Sequence, residues 1–95
     1  MTIKIEDILE ERGNQYGNFN GTAIVSQSLK ATIYSALDER SRFLTHDQQE
    51  ALDMICHKIG RIVNGNPDYA DNWIDIAGYA MLIANRLPSE QAKNL

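Results

Sequence analysis

Two carboxylates one helical turn apart, Asp71 and Asp75, open a segment that is otherwise almost wholly apolar, DNWIDIAGYAMLI. At about 100° per residue, Asp71, Asp75 and Tyr79 fall on one strip of a helix. A first-turn carboxylate such as Asp71 is favoured by the helix dipole and by free amide groups. Asp75 lacks that explanation. A carboxylate drawn out of water must meet a cation, a metal or several donors, or else take up a proton. The nearest cations are Lys58 and Arg61 in KIGRI. Two readings follow: an ion pair from Asp75 to Lys58 or Arg61 that joins two helices, or a divalent ion held by Asp71, Asp75 and carboxylates of the preceding helix, with Lys58 or Arg61 facing a phosphate.

That preceding helix carries Glu50, Asp53, His57 and Arg61 close together on one face. They form either a solvated line of weak ion pairs, each worth a few tenths of a kcal/mol, or a set of oxygen and nitrogen ligands. Their spacing matches no diagnostic metal motif. In the segment NQYGNF, the rings of Tyr16 and Phe19 either cover a base or fold back on the core. No phosphate-binding loop and no G-x-G-x-x-G follows a strand. A Ser/His/acid set is also unsupported, because His46 lies beside a helix cap and His57 has no nearby serine in the pattern.

Helices must position these groups. Ile5, Ile8 and Leu9 predict a short amphipathic helix that begins near Glu6 and stops before Gly13. The Gly- and Asn-rich stretch 12–21, RGNQYGNFNG, reads as a loop. Val25, Leu29, Ile33, Ala36 and Leu37 then recur at helical spacing until DERSR. A third helix starts at a capping box, Thr45 with Gln48, carries the stripe Leu52, Ile55, Cys56, Ile59, Ile62 and Val63, and ends at Gly65, a candidate left-handed cap. The fourth starts near Asp68 or Asp71 and ends before Pro88. Trp73, Ile76, Ala77, Ala80, Ile83 and Ala84 line one side, and Ile74, Met81 and Leu82 extend the apolar character nearly all round, as expected of a central helix. Gly60 and Gly78 offer close approach. The short link NGNPDY makes the last two helices an antiparallel hairpin. The fold class expected is therefore all-α: a single domain, 1–95, of four helices built around that hairpin.

Composition bounds the rest. A chain of 95 residues, 43% of them hydrophobic and 23% charged, is an ordinary globular domain whose modest core favours pairing with a second copy. The net charge of -4, with no run of Lys or Arg, argues against nonspecific nucleic-acid binding. Cys56 is the only cysteine, so no internal disulfide forms, and its apolar neighbours mark it as a small core residue. The N-terminus lacks the features of a signal peptide, and no apolar run spans a bilayer. The expected setting is the cytoplasm.

The blocks ERGNQYGNF, KIGRIVNG and DNWIDIAGYAMLI, in that order, resemble a family of short phage and prophage proteins classed as a domain of unknown function. The resemblance covers most of the chain and implies a viral or prophage origin, hence the cytoplasm of a bacterial host, without implying an activity. A more remote likeness is to the MazG-like all-α nucleotide pyrophosphohydrolases, in which acidic motifs on two adjacent helices bind magnesium and convert nucleoside triphosphates to monophosphates. Asp75, followed by the aromatic Tyr79, is similar to the aspartate of the second E-x-x-D motif, with Asn72 in place of its glutamate. Glu50 and Asp53 roughly substitute for the first. This likeness implies Glu50, Asp53, Asp71 and Asp75 as magnesium ligands, Lys58 and Arg61 as phosphate contacts, and Tyr16 and Tyr79 as base contacts. The expected function is nucleotide binding or magnesium-dependent nucleotide cleavage. Its rival is a noncatalytic protein that sequesters a host nucleotide signal or inhibits a host protein.

Overall fold

The computed structural model describes residues 4–88. Among them are four helices and no strand: α1 (Ile5–Tyr16), α2 (Phe19–Glu39), α3 (His46–Asn64) and α4 (Ala70–Ala84). The all-α architecture and the contact between α3 and α4 agree with the sequence reading.

The third helix starts where its capping box predicts. The Thr45 side chain accepts from the Gln48 amide, and the Gln48 side chain accepts from the Thr45 amide, so two first-turn donors are satisfied reciprocally. Two contacts hold α4 antiparallel beside it. Lys58 pairs with Asp75 near the turn, and Arg86, just beyond α4, pairs with Asp47 in the first turn of α3. Hydrogen bonding from Thr45, then the Arg86 guanidinium, holds the Asp47 carboxyl below its usual range.

The stretch 12–21 departs from the loop expected there. The first helix runs through Gly13 and Asn14 to Tyr16, and only Gly17 and Asn18 separate it from α2. Gly costs only about 1 kcal/mol in a helix interior relative to Ala, and tertiary bonds override that preference. Asn66 reaches Gln15 twice, through its backbone amide (2.9 Å) and its side chain (3.1 Å), while Asn64 Nδ2 donates to the carbonyl of Asn18 at 2.9 Å. The C-terminal end of α3 thus fastens the α1–α2 junction. Gly17 turns that junction with φ 77°, and a Cβ there would strike the backbone of Asn64. Gly65 is required for a related reason. It does not adopt the left-handed cap its position suggested, with φ -120° and ψ -134°, but any Cβ would collide with the backbone of Tyr16. Gly60 also fulfils its expectation of close approach, since a Cβ would lie 2.7 Å from the Thr22 carbonyl where α2 crosses α3, whereas Gly78 faces open space.

The fourth helix is not central. Among the described residues its only substantial contact is with α3, and α3 itself is the middle of the layer, with α2 on one side and α4 on the other. Asn72, Asp75, Ile76, Tyr79 and Ile83 form the better-buried face of α4, leaving Trp73 54%, Ile74 63%, Met81 53% and Leu82 68% exposed. The apolar stripe of α3 is divided similarly. Cys56 is buried on the side where Gly60 meets α2, and Ala51 is buried with Lys58 on the side of α4, whereas Val63, two turns beyond Cys56 on the same face, is 68% exposed. Among the described residues, Ala51 and Cys56 are the only buried apolar residues. Burial raises the Cys56 thiol above its ordinary pKa, as expected of an inert core cysteine.

Candidate functional site

Lys58 meets Asp75 at 3.0 Å, the first of the two readings of the carboxylate on α4. The lysine side chain is 10% exposed and the aspartate 46%, so it is chiefly the cation that has left water. Both are fixed by the α3–α4 hairpin. Asn72, one turn before Ile76, is 1% exposed, and neither atom of its side-chain amide has a hydrogen-bond partner.

The polar line on α3 is not a solvated face. Asp53 accepts a hydrogen bond from the Tyr34 hydroxyl of α2, and this bond, together with burial, raises the phenol above its ordinary pKa. His57 and Arg61 lie half-buried beyond it, and Glu50 is exposed. Asp71 is also engaged: hydrogen bonding to its carboxylate, reinforced by its charge, pushes the Tyr69 phenol up to about 12. Among the described residues, no group of three or more His, Cys, Asp or Glu side chains gathers as a metal would require. Glu50, Asp53, Asp71 and Asp75 are thus not gathered into one cluster within a single copy of the chain.

A different set of expected residues does converge. A cavity of about 640 Å³ opens between α1, α2 and the C-terminal half of α3, lined by apolar Leu9 and by Tyr16, Phe19, Arg12, His57 and Arg61. The interhelical bonds from Asn64 and Asn66 are what hold its wall, because they seat the end of α1 and the start of α2 against α3. The Arg61 guanidinium lies 4.0 Å from the centroid of the Tyr16 ring, a cation–π contact. Tyr69 meets the same ring edge-on, at 5.8 Å and 71°. Tyr16 is therefore a support for Arg61, while Phe19, at the mouth, is 78% exposed.

The electrostatics of this cavity oppose those of the whole chain. Its lining contains Arg12, Arg61 and His57 and no carboxylate, although the protein carries a net charge of -4. Among the described residues, no carboxylate lies within ion-pair distance of either guanidinium. Burial, then the charges of Arg61, Lys58 and Lys30, holds the His57 imidazole below its ordinary pKa. Such a cavity is suited to an anion with an apolar or aromatic part. Of the residues singled out in the sequence, Arg61 and Tyr16 belong to it, and Lys58 and Tyr79 do not line it. Arg12, Asn64 and Asn66 were not singled out. Their signal was the repeated Asn/Gly pattern of NQYGN and NGN, which reads as turns until the two segments are seen to bond to each other.

Residues 4–87 match the family described as Domain of unknown function (DUF6378), and the chain belongs to that family. Comparison with curated proteins and with solved structures found no match.

Proposed function

We propose that this protein binds a nucleotide or a nucleotide-derived signal in the cavity between α1, α2 and α3. The observation that carries the reading is the pair of guanidiniums without carboxylate partners, Arg12 and Arg61, beside aromatic rings in an acidic protein. The remote likeness to MazG-like proteins supports the same direction. Between cleavage and sequestration, sequestration is favoured, because the carboxylates that would hold magnesium are engaged elsewhere: Asp75 with Lys58 and Asp53 with Tyr34. A phage protein of this kind would act in the cytoplasm of its bacterial host by withdrawing a nucleotide signal.

The reading includes self-association. The exposed faces of α4 and α3, with Trp73, Ile74, Met81, Leu82 and Val63, are an apolar surface that no described residue of the same copy covers. A second copy would complete the core. In that case the melting temperature rises with protein concentration.

The test is isothermal titration of a nucleotide panel against the wild type and Arg61→Ala, with chromatography of each nucleotide after incubation with magnesium. Binding that is lost in Arg61→Ala, with nucleotides recovered intact, is the expected result. Turnover that disappears in Asp75→Asn would instead support the hydrolase, and absence of binding by every nucleotide would end the nucleotide reading.

A further inference from the structure

We infer that the cavity takes a nucleotide carrying two or more phosphoryl groups without a metal ion, its phosphates on Arg12, Arg61 and His57 and its base on Phe19. This deepens the nucleotide reading above and rests on it.

The argument begins with the lining. A magnesium-bound polyphosphate is normally met by one or two acidic ligands of the protein. This wall supplies none, while Arg12 and Arg61 line the same space from different helices. A planar guanidinium matches a phosphoryl group through two parallel N–H donors, so a pair of them is matched by two phosphoryl groups. Arg61 is pre-positioned by Tyr16, which lowers the ordering entropy lost when the ligand arrives.

The rings divide the remaining work. One face of Tyr16 is already occupied by Arg61 and its ring is met by Tyr69, so the ring left for a base is Phe19, in the first turn of α2. Leu9 adds an apolar side chain to the lining.

The third cation responds to the ligand. His57 faces Arg12 across the cavity, Lys30 from α2, and Lys58, Arg61 and Asp53 from its own helix. Asp53 is held by Tyr34, so the field at the imidazole is dominated by cations. A polyphosphate reverses that field, and the imidazole takes up a proton as the anion binds. Affinity therefore increases as pH falls from about 8 to about 6.

The full chain is titrated calorimetrically with ribonucleoside diphosphates, the matching monophosphates and inorganic pyrophosphate, in EDTA and in magnesium. Diphosphates are expected to bind in EDTA at least as tightly as in magnesium and about tenfold or more tighter than monophosphates. Phe19→Ala weakens nucleotides by about tenfold and leaves pyrophosphate unchanged. Because Arg61 also supports the fold, Arg12→Gln, on an exposed part of α1, provides the second variant and should lose about tenfold or more. Titration at pH 7 in buffers of different ionisation enthalpy reads proton uptake, which His57→Gln abolishes. Diphosphate binding that appears only with magnesium overturns the metal-free site and leaves the nucleotide reading standing, whereas no binding under either condition removes both. Uptake that persists in His57→Gln overturns the role of the imidazole.

Discussion

Removing one member of the Lys58–Asp75 pair should destabilise the protein unequally, depending on which member is lost. At 3.0 Å the gross attraction lies between about 1.4 kcal/mol at the dielectric of water and about 5.5 kcal/mol at an effective value of 20. Asp75 retains substantial contact with solvent and Lys58 retains little, at 46% and 10% exposure. Asp75→Asn leaves a buried ammonium facing a neutral amide. Its cost should lie between those of surface and buried pairs, about 1–3 kcal/mol. For a domain of this size that lowers the melting temperature by roughly 5–20 °C. Lys58→Met leaves a carboxylate that water can reach and fills the space with an apolar chain, so its cost should be below about 1 kcal/mol. Urea and thermal unfolding at one fixed protein concentration measure both. Neither residue lines the cavity, so both variants should still bind nucleotide. The reasoning fails if Lys58→Met proves the more damaging, or if Asp75→Asn removes nucleotide binding from a protein that remains folded.

Gly17→Ala should cost about 1–3 kcal/mol or more, because it combines a left-handed backbone with a collision against Asn64, and should weaken the cavity along with the fold; a melting temperature equal to wild type would refute the close approach. His57 gives a pH dependence of defined sign. Its folded pKa lies below its ordinary value, so the unfolded chain binds more protons over that interval and stability falls as pH drops through about 6.5 toward the folded pKa. In His57→Gln that part of the acid-side decline should be absent from a series of urea melts. A change from Leu82 to Asp on the exposed face of α4 should abolish the dependence of melting temperature on protein concentration, with light scattering as the independent check.

How far the sequence could be read depended on whether a residue's partner was local. The start of α3 was legible because Thr45 and Gln48 satisfy each other within one turn. Cys56 was legible as core from its own helical neighbours. The demand of Asp75 for a cation was equally legible, because an apolar helix leaves a carboxylate few choices, and Lys58 meets it. The segment 12–21 was not legible in the same way. Its Gly and Asn residues favour turns locally, yet bonds to Asn64 and Asn66, some fifty residues away, convert most of it to helix. The position of α4 is not legible for a related reason. Apolar character on every side indicates how much cover a helix needs and does not say whether that cover comes from the same copy, and among the described helices α3 is the one that packs extensively against it. Arg61 and Tyr16 were found separately as a cation and a ring. Their union required the chain reversal that brings the end of α1 onto the end of α3.

The central claim is that Arg12, His57 and Arg61 make an anion-binding cavity with Phe19 at its mouth. It is tested most directly by mapping the backbone amide shifts of the protein by NMR during titration with a ribonucleoside diphosphate in EDTA. The account predicts saturable shifts concentrated in residues 9–22 and 57–61, with those of α4 beyond Asp71 little changed. Shifts centred on Asp71, Asp75 and Tyr79, or none at millimolar nucleotide, would contradict it.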